Sequence, residues 1–206
     1  AKIGFKPFDY TKAGIYGDAA WVKKAVGIKL PSLEPVPPPP PAPPLAIHEN
    51  FETTPVGQPV REASVSVEKK GDAIAVTEEA AARGKRSLKV TDAPELKAQF
   101  NPHFHFSVNH TNGLTRCGFD LRLETGAVFQ HEWRDRASPY RTGPNLTIQN
   151  GKLVANGKEI TQIPLGQWVH VEISAGLGGQ STGTWNLSVK PADQPAREFK
   201  ELKNAS

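Results

Sequence analysis

The sequence is poor in sulfur, with one cysteine and no methionine among 206 residues. Because Cys117 stands alone, an intrachain disulfide and a metal site built from several cysteines are both excluded. We expect Cys117 to be a small buried side chain on a strand. The sequence also lacks any apolar run near the roughly 18 residues that a membrane-spanning helix needs, so no membrane partner is predicted.

Clusters of a single charge are absent as well. The formal net charge of +4 is spread along the chain. No block of Lys and Arg alternates with aromatic residues as it does in proteins that follow a phosphate backbone, so nucleic acid is not a predicted partner. The chain starts at Ala1 without a basic segment followed by an apolar one, and we expect its original N-terminus to lie further upstream or to have been removed.

Proline, in contrast, is concentrated in one place. Residues 31–44, PSLEPVPPPPPAPP, contain nine prolines. Proline fixes φ and has no N–H to donate, so this run predicts a polyproline II spacer of roughly 40 Å at about 3.1 Å per residue. We therefore divide the chain into residues 1–30, the tail of an upstream domain, a linker of residues 31–45, and a domain of residues 46–206.

The first thirty residues are too few to bury a core of their own. Asp18 is the predicted N-cap of a short helix, AAWVKKAV, that ends at Gly27. The string IGFKPFDYTKAGIYGD, within residues 1–18, resembles the closing segment of secreted bacterial right-handed parallel β-helix proteins, many of which are polysaccharide hydrolases or lyases. The resemblance implies an upstream β-helix domain as a partner, and it brings none of that family's catalytic residues into this chain.

After the linker the apolar period becomes two. β-rich runs recur near residues 65–67, 73–76, 87–91, 97–108, 114–124, 128–135, 145–149, 152–155, 168–174 and 184–189. Asn150-Gly151 and Asn156-Gly157 separate three short runs and predict two consecutive hairpins. Residues 77–84 are predicted to form a short helix. About ten antiparallel strands without a long helix predict an all-β fold, a two-sheet antiparallel sandwich or jelly roll.

Several segments after residue 46 resemble concanavalin A-like or laminin-G-like sandwiches. They are ENFETTPVGQP (49–59), GKRSLKVTDAP (84–94), RCGFDLRLETGAVFQHEWRD (116–135), IPLGQWVHVEI (163–173) and GTWNLSV (183–189). Domains of this kind follow β-helix domains in secreted bacterial polysaccharide-degrading proteins, so the resemblance implies a secreted, periplasmic or cell-surface location. The chain departs from the family at FKELKNAS, where an aspartate-bearing final strand is usual, and we expect an open sheet edge.

An aromatic and basic cluster is the predicted carbohydrate-binding site. Sugars stack on aromatic rings while Arg, His and carboxylates bind their hydroxyls. The candidate residues, which include two histidines of a preceding strand, are Trp133, Tyr140, Arg134, Arg136, His131, His105 and His103. The arginines also suit an acidic polysaccharide. The alternative is that Trp133 belongs to the core and the arginines are solvated loop charges.

The two remaining tryptophans of the sandwich are predicted to be structural. Trp185 shares its strand face with Leu187 and Val189, which predicts a core position. Trp168 is opposite in phase to the valines that follow it, so we expect it to be half-exposed or to cover the end of a sheet.

Catalytic residues are not predicted. A glycosidase needs two carboxyl groups roughly 5–9.5 Å apart, whereas Asp120 and Glu124 are four residues apart on one strand face, which is about 13 Å. Arg122 between them predicts a salt-bridged ladder on the surface. Glu132 and Asp135 are an odd number of residues apart and should point to opposite faces.

Metal binding has two candidate positions. His103 and His105 share one side of a strand, but a site needs a third ligand. The sandwich resemblance implies a structural calcium ion as the one candidate cofactor, with Glu52 and nearby carbonyl oxygens as ligands.

These patterns predict a non-catalytic carbohydrate-binding accessory domain of a multidomain polysaccharide-degrading protein. One alternative is a structural or interaction module that packs on the β-helix domain. The other is a glycoside hydrolase or polysaccharide lyase, with Glu132 or His105 as acid or base.

Overall fold

The computed structural model describes residue 14, residues 16–29 and residues 35–205. The chain divides into two compact units, Ala1–Pro41 and Ala42–Ser206. Most of the segment that resembles the end of a β-helix, and the first four residues of the proline run, lie outside the described residues. Residues 35–50 contain no helix or strand.

The first unit contains the predicted helix, α1, at Ala19–Val26. Oδ1 of Asp18 accepts hydrogen bonds from the backbone N–H groups of Ala20 (2.9 Å) and Trp21 (3.3 Å). These bonds satisfy two of the donors that the start of a helix leaves open, which confirms the predicted cap. Trp21 is 68% exposed. Within the described residues, no helix has the length and apolar character that crossing a membrane requires.

The second unit is all-β, as predicted, and its paired strands are antiparallel. The strands in its described residues are β1 Ser64–Ser66, β2 Ala73–Thr77, β3 Ser87–Thr91, β4 His103–His105, β5 Gly113–Arg122, β6 Val128–Arg134, β7 Thr142–Gln149, β8 Lys152–Ala155, β9 Lys158–Gln162, β10 Trp168–Leu177, β11 Thr184–Pro191 and β12 Arg197–Lys203. A 3₁₀ turn, Gly178–Gln180, follows β10.

Two four-stranded sheets share one core. Their strand orders are β12-β11-β10-β5 and β6-β7-β8-β9, and the pairs β1-β4 and β2-β3 form two-stranded sheets. One buried cluster joins the two larger sheets. It includes Leu146 and Ile148 of β7 and Val171, Ile173 and Leu187 of β10 and β11, each at most 1% exposed. Burying a side chain of this size stabilises by about 1.5–3 kcal/mol, so this core holds the sandwich-like arrangement together.

Both predicted Asn-Gly hairpins are present. Asn150 (φ 52°) and Gly151 (φ 75°) join β7 to β8, and Asn156 (φ 48°) and Gly157 (φ 74°) join β8 to β9. Two consecutive positive φ values are the mark of a type I′ turn, whose twist matches that of the flanking strands. The local sequence therefore determines both turns.

The predicted helix over residues 77–84 is wrong, because Thr77 ends β2 and residues 78–84 form bends and irregular backbone. The carbonyl of Ala80, which a helix would pair with the N–H of Gly84, accepts a hydrogen bond from the Ser87 hydroxyl at 2.6 Å. The next two N–H groups, of Lys85 and Arg86, donate to a carboxylate on another segment. Gly84 has a φ of +67°, which ends any helical path.

The strand predicted over residues 97–108 is limited to β4. Before it, the carboxylate of Glu68 accepts hydrogen bonds from the backbone N–H groups of Lys97 (2.9 Å) and Ala98 (3.0 Å) and from Nδ2 of Asn101 (3.0 Å). These bonds, the one from Lys97 first, lower the pKa of Glu68 to about 2. The Glu68 side chain thus binds the backbone N–H groups of Lys97 and Ala98, which in a longer strand would have been available to a neighbouring strand.

Strand β12 was not predicted from the sequence. Trp185 faces Leu202 and Leu187 faces Phe199, so the register shifts between these two pairs. Glu201, with a φ of 56°, lies in this β-bulge. The bulge directs Phe199 and Leu202 to the core although they are three residues apart. That spacing breaks the period of two by which a strand is recognised.

Candidate functional site

Strand β10 divides its side chains between two faces. Val169, Val171 and Ile173 are at most 1% exposed and point toward the core. Trp168 and His170 alternate with them on the outer face of the sheet and are half-buried. Because β10 runs between β5 and β11, both neighbours present side chains beside His170.

His170 is the centre of a row of three side chains across the sheet. It is paired with Asp120 of β5 and with Lys190 of β11. Nδ1 of His170 lies 2.7 Å from Oδ1 of Asp120. Gly118 lies beside the ring, and a Cβ there would make an ordinary van der Waals contact with Cε1 of His170 at 3.6 Å. The imidazole is therefore held through one of its two nitrogens.

The loop between β2 and β3 contributes a cation to this row. Nε of Arg83 lies 3.7 Å from Oδ2 of Asp120, and the Arg83 side chain is 84% exposed. A shallow depression of about 260 Å³ lies here, which we call the Trp168 depression. Its polar and aromatic lining is Arg83, Asp120, Trp168, His170 and Lys190, and its apolar lining is Ala82, Pro191 and Ala192. Pockets for small molecules measure roughly 300–1,000 Å³, so the depression suits a single ring.

The Trp168 depression combines an aromatic surface with directed polar groups. A neutral His170 that donates from Nδ1 to Asp120 keeps Nε2 as an acceptor. The side chains of His170 and Asp120 are 39% and 27% exposed, so both are within reach of a ligand. Trp168 is not among the side chains packed against the core. The indole N–H of Trp168 has no hydrogen-bond partner among the described residues. This combination suits a ligand with an apolar face and polar edges.

The predicted binding residues Trp133 and His131 lie between the sheets instead of on the surface. Trp133 packs against the core, and its Nε1 donates to Nε2 of His131 at 3.0 Å. The His131 ring centroid is 5.1 Å from that of Phe119 on the opposite sheet. Burial lowers the pKa of His131 to about 4. This placement matches the alternative that put Trp133 in the core.

Two other predicted binding residues, Arg134 and Tyr140, form a surface group around Arg134. Its Cζ lies 4.3 Å from the centroid of the Tyr140 ring, and its guanidinium pairs with Glu132. Tyr140 is 50% exposed. Arg136 donates to Oδ1 of Asn109. Because Arg134 covers one face of Tyr140, that face is closed to a sugar.

His103 and His105 lie near this group. Their rings stack with centroids 6.5 Å apart and an interplanar angle of 14°. Burial, then the charges of His105 and Arg134, lower the pKa of His103. The structure thus brings four predicted residues together, Arg134, Tyr140, His103 and His105, whereas Trp133 packs against the core. Among the described residues there is no group of three side chains suited to a metal ion.

The predicted calcium ligands already contact a cation from the chain itself. The backbone carbonyls of Glu52 and Thr54 accept hydrogen bonds from Nη1 of Arg86, at 3.0 and 3.1 Å. Oε1 of Glu52 accepts the backbone N–H groups of Lys85 (2.7 Å) and Arg86 (3.0 Å), which lowers the pKa of Glu52. A guanidinium satisfies these oxygens, so they do not fit a calcium ion.

The carboxylates considered for catalysis have separate partners. Glu124 pairs with Arg122 at 2.9 Å, as predicted. Asp120 pairs with His170 and does not extend that ladder. Asp135 accepts the backbone N–H of Arg141 at 2.8 Å and its Nε at 2.7 Å, and these bonds, the backbone one first, lower its pKa. These carboxylates serve ion pairs and loop structure.

The Trp168 depression was not predicted, although one signal was visible. The phase of Trp168 against Val169 and Val171 placed it on the outer face. The pairing of His170 with Asp120 joins residues 50 positions apart and depends on strand register, which local pattern does not determine. Arg83 comes from a segment that was predicted to be helical.

Similarity to other proteins offers no independent assignment for this site. Its function therefore has to be argued from the geometry of the described residues. No family model matches the chain, and comparisons with curated proteins and with solved structures found no significant match.

Proposed function

We propose that the second unit is a non-catalytic module that binds polysaccharide in the Trp168 depression. The observation that carries this proposal is the partly buried Trp168, which lines the depression beside the hydrogen-bonded pair of His170 and Asp120. A sugar ring has an apolar C–H face and hydroxyl edges. Its recognition needs an aromatic surface with a few polar groups at the side, and the depression supplies both.

Each polar or aromatic side chain of the lining has a role in this proposal. The sugar ring stacks on Trp168. Nε2 of His170 accepts a hydrogen bond from a hydroxyl, and Asp120 fixes the orientation of the imidazole through Nδ1. Arg83 and Lys190 act as donors to the sugar oxygens.

The shape of the depression supports binding to a polymer. A shallow site of about 260 Å³ holds one ring and leaves the rest of a sugar chain in solvent. One such site binds weakly, but attachment through a linker raises the effective concentration of the sugar near a neighbouring domain. The proline run of residues 31–44 suits such a linker. An accessory role in a secreted polysaccharide-degrading protein is the context in which this binding is useful.

Affinity electrophoresis of the whole chain, in gels that contain neutral or acidic polysaccharides, tests the proposal. We expect at least one polysaccharide to retard the protein, and Trp168→Ala to abolish the retardation. Trp21→Ala is the matched control, because it removes an exposed indole from α1. Circular dichroism verifies that each variant is folded, and Trp168→Phe, which keeps a ring, should restore part of the binding.

Other outcomes would redirect the assignment. If Tyr140→Ala abolishes retardation while Trp168→Ala does not, the binding site is the surface group around Arg134. If no polysaccharide retards the folded chain, the binding proposal fails and the interaction module becomes the better hypothesis.

A further inference from the structure

The lining of the Trp168 depression contains more cationic than anionic side chains. Arg83 and Lys190 are cationic, and Asp120 is the one carboxylate in its lining. Asp120 is also engaged, since it accepts from His170 at 2.7 Å and pairs with Arg83 at 3.7 Å. The lining therefore carries an excess of positive charge even when His170 is neutral.

Lys190 supplies the uncompensated charge. Lys89 pairs with Glu79 and Lys152 pairs with Glu159, whereas the described residues contain no hydrogen-bond or ion-pair partner for the ammonium of Lys190. It is exposed and opposite His170 in register. A lysine without a partner at the rim of a depression is free to bind an anion on a ligand.

Arg83 complements Lys190 from the loop side. Its guanidinium is 84% exposed and approaches Asp120 through Nε alone. Nη1 and Nη2 have no partner among the described residues, so they can pair with a second anion. Arginine binds carboxylate and sulfate oxygens through two parallel hydrogen bonds, which gives direction as well as strength.

The acidic residues Glu172 and Glu198 lie near the depression but outside its lining. Glu172 is two residues beyond His170 on the same face, opposite Ser188, and is outside the lining. Glu198 accepts from the hydroxyl of Ser188 at 2.6 Å. Arg122, opposite Trp168, is paired with Glu124. Neither Glu172 nor Glu198 lines the depression, and neither pairs with Lys190, so the balance of charge within the lining itself remains positive.

We infer that the Trp168 depression selects an acidic sugar unit, with the anionic group bound by Lys190 and Arg83 while the ring stacks on Trp168. This inference rests on the proposed polysaccharide binding and specifies its substrate class. The shared chemistry is an anionic substituent on a sugar ring, either the carboxylate of a uronic acid or a sulfate ester. A neutral polysaccharide offers the ring without the anion and binds more weakly.

Affinity electrophoresis of the whole chain with polygalacturonate, carrageenan and dextran tests the inference. Polygalacturonate carries carboxylates, carrageenan carries sulfates and dextran is neutral. We expect one of the two anionic polymers to bind at least about fivefold more tightly than dextran, and the stronger of the two identifies the anion. Lys190→Gln should weaken that binding by about three- to tenfold, the effect of losing one hydrogen bond of ordinary strength at an exposed site.

Lys158→Gln is the matched control for nonspecific charge. Lys158 is exposed on β9 of the other sheet, and its substitution changes the net charge by the same amount. It should leave retention unchanged. Equal losses in Lys190→Gln and Lys158→Gln would overturn the inference, because they would show a general attraction of a basic protein to polyanions.

The two proposals fail in different ways. Tighter binding of dextran than of either polyanion, abolished by Trp168→Ala, would overturn the acidic specificity and leave the proposed function intact. Absence of retardation in all three gels and across the wider neutral and acidic panel would overturn both. If Lys190→Gln abolishes binding and Trp168→Ala leaves it unchanged, the protein binds an anion without stacking a sugar ring on Trp168. That result would also overturn the inference.

Discussion

Nδ1 of His170 and Oδ1 of Asp120 lie 2.7 Å apart across the pairing of β10 with β5, where the two residues are directly opposite in register. The hydrogen bond fixes the orientation of the imidazole and determines which nitrogen is left for a ligand. The pair is partly exposed, and pairs of this kind contribute only about 0–1 kcal/mol to stability. Its main effect is to position His170.

Asp120→Ala is therefore expected to weaken polysaccharide retention while changing the free energy of unfolding by less than about 1 kcal/mol. The substitution removes the acceptor that orients His170. Asp120→Asn is the matched control, because its Oδ1 can still accept from Nδ1, and it should keep most of the binding. Affinity electrophoresis and urea unfolding measure the two effects. Equal losses of retention in both variants would show that the charge of Asp120 matters more than its position.

The sequence predicts those parts of the fold that depend on neighbouring residues. Asp18 caps α1 through N–H groups two and three residues away, and Asn150-Gly151 forms its turn from two adjacent φ preferences. The prediction fails where a distant side chain takes the backbone donors. Glu68 binds the N–H of Lys97 from 29 residues away and shortens a predicted strand.

The candidate site follows the same rule. The phase of Trp168 was visible within one strand, so its outward direction could be predicted. Its partners could not, since Asp120 reaches His170 through strand register and Arg83 arrives on a loop. The alternation of side chains along β6 does not show whether the face that carries Trp133 is the inner or the outer one. Only the packing of the second sheet shows that its face is the inner one.

Mild acid should destabilise the fold through His131. Burial lowers its pKa from 6.5 to about 4 in the folded chain, so the unfolded chain binds a proton first as the pH falls. The stabilisation that comes from keeping His131 neutral is fully present above pH 6.5 and is lost as the pH falls from 6.5 to about 4. The free energy of unfolding falls by about 3 kcal/mol at most. Urea unfolding at pH 7, 6 and 5 measures this slope.

His131→Gln separates this effect from other titrations. Glutamine keeps an acceptor for Nε1 of Trp133 but does not ionise, so the slope between pH 7 and 5 should flatten, and the part that remains is expected from His103, whose pKa burial also lowers. Glu68, whose pKa is lowered from 4.5 to about 2, stabilises above pH 4.5 and loses this contribution only as the pH falls toward 2. It therefore does not contribute in the measured window. An unchanged slope in His131→Gln would contradict the assignment.

Removal of calcium should leave the stability of the domain unchanged. Arg86 donates to the carbonyls of Glu52 and Thr54, which would otherwise be candidate ligands. We expect the same melting temperature in EDTA and in millimolar calcium chloride. Arg86→Leu should lower the free energy of unfolding by about 1–3 kcal/mol, because it leaves these acceptors unpaired. A rise in melting temperature with calcium, in the wild-type chain, would contradict this account.

Alanine substitutions at Gly151 and Gly157 should differ although the two glycines occupy equivalent turn positions. Their φ values are +75° and +74°, so alanine at either one costs about 1 kcal/mol for the left-handed conformation. A Cβ on Gly151 would also lie 2.9 Å from the carbonyl oxygen of Ile163, whereas Gly157 has open space around it. Because Ile163 donates its own N–H to the carbonyl of Gly151 at 2.8 Å, this backbone has little freedom to move away.

Urea unfolding should therefore show a loss of about 1 kcal/mol for Gly157→Ala and of about 2–4 kcal/mol for Gly151→Ala. Equal losses would mean that the Ile163 segment yields, so the difference between the two variants measures how firmly the chain after β9 is held against the first hairpin.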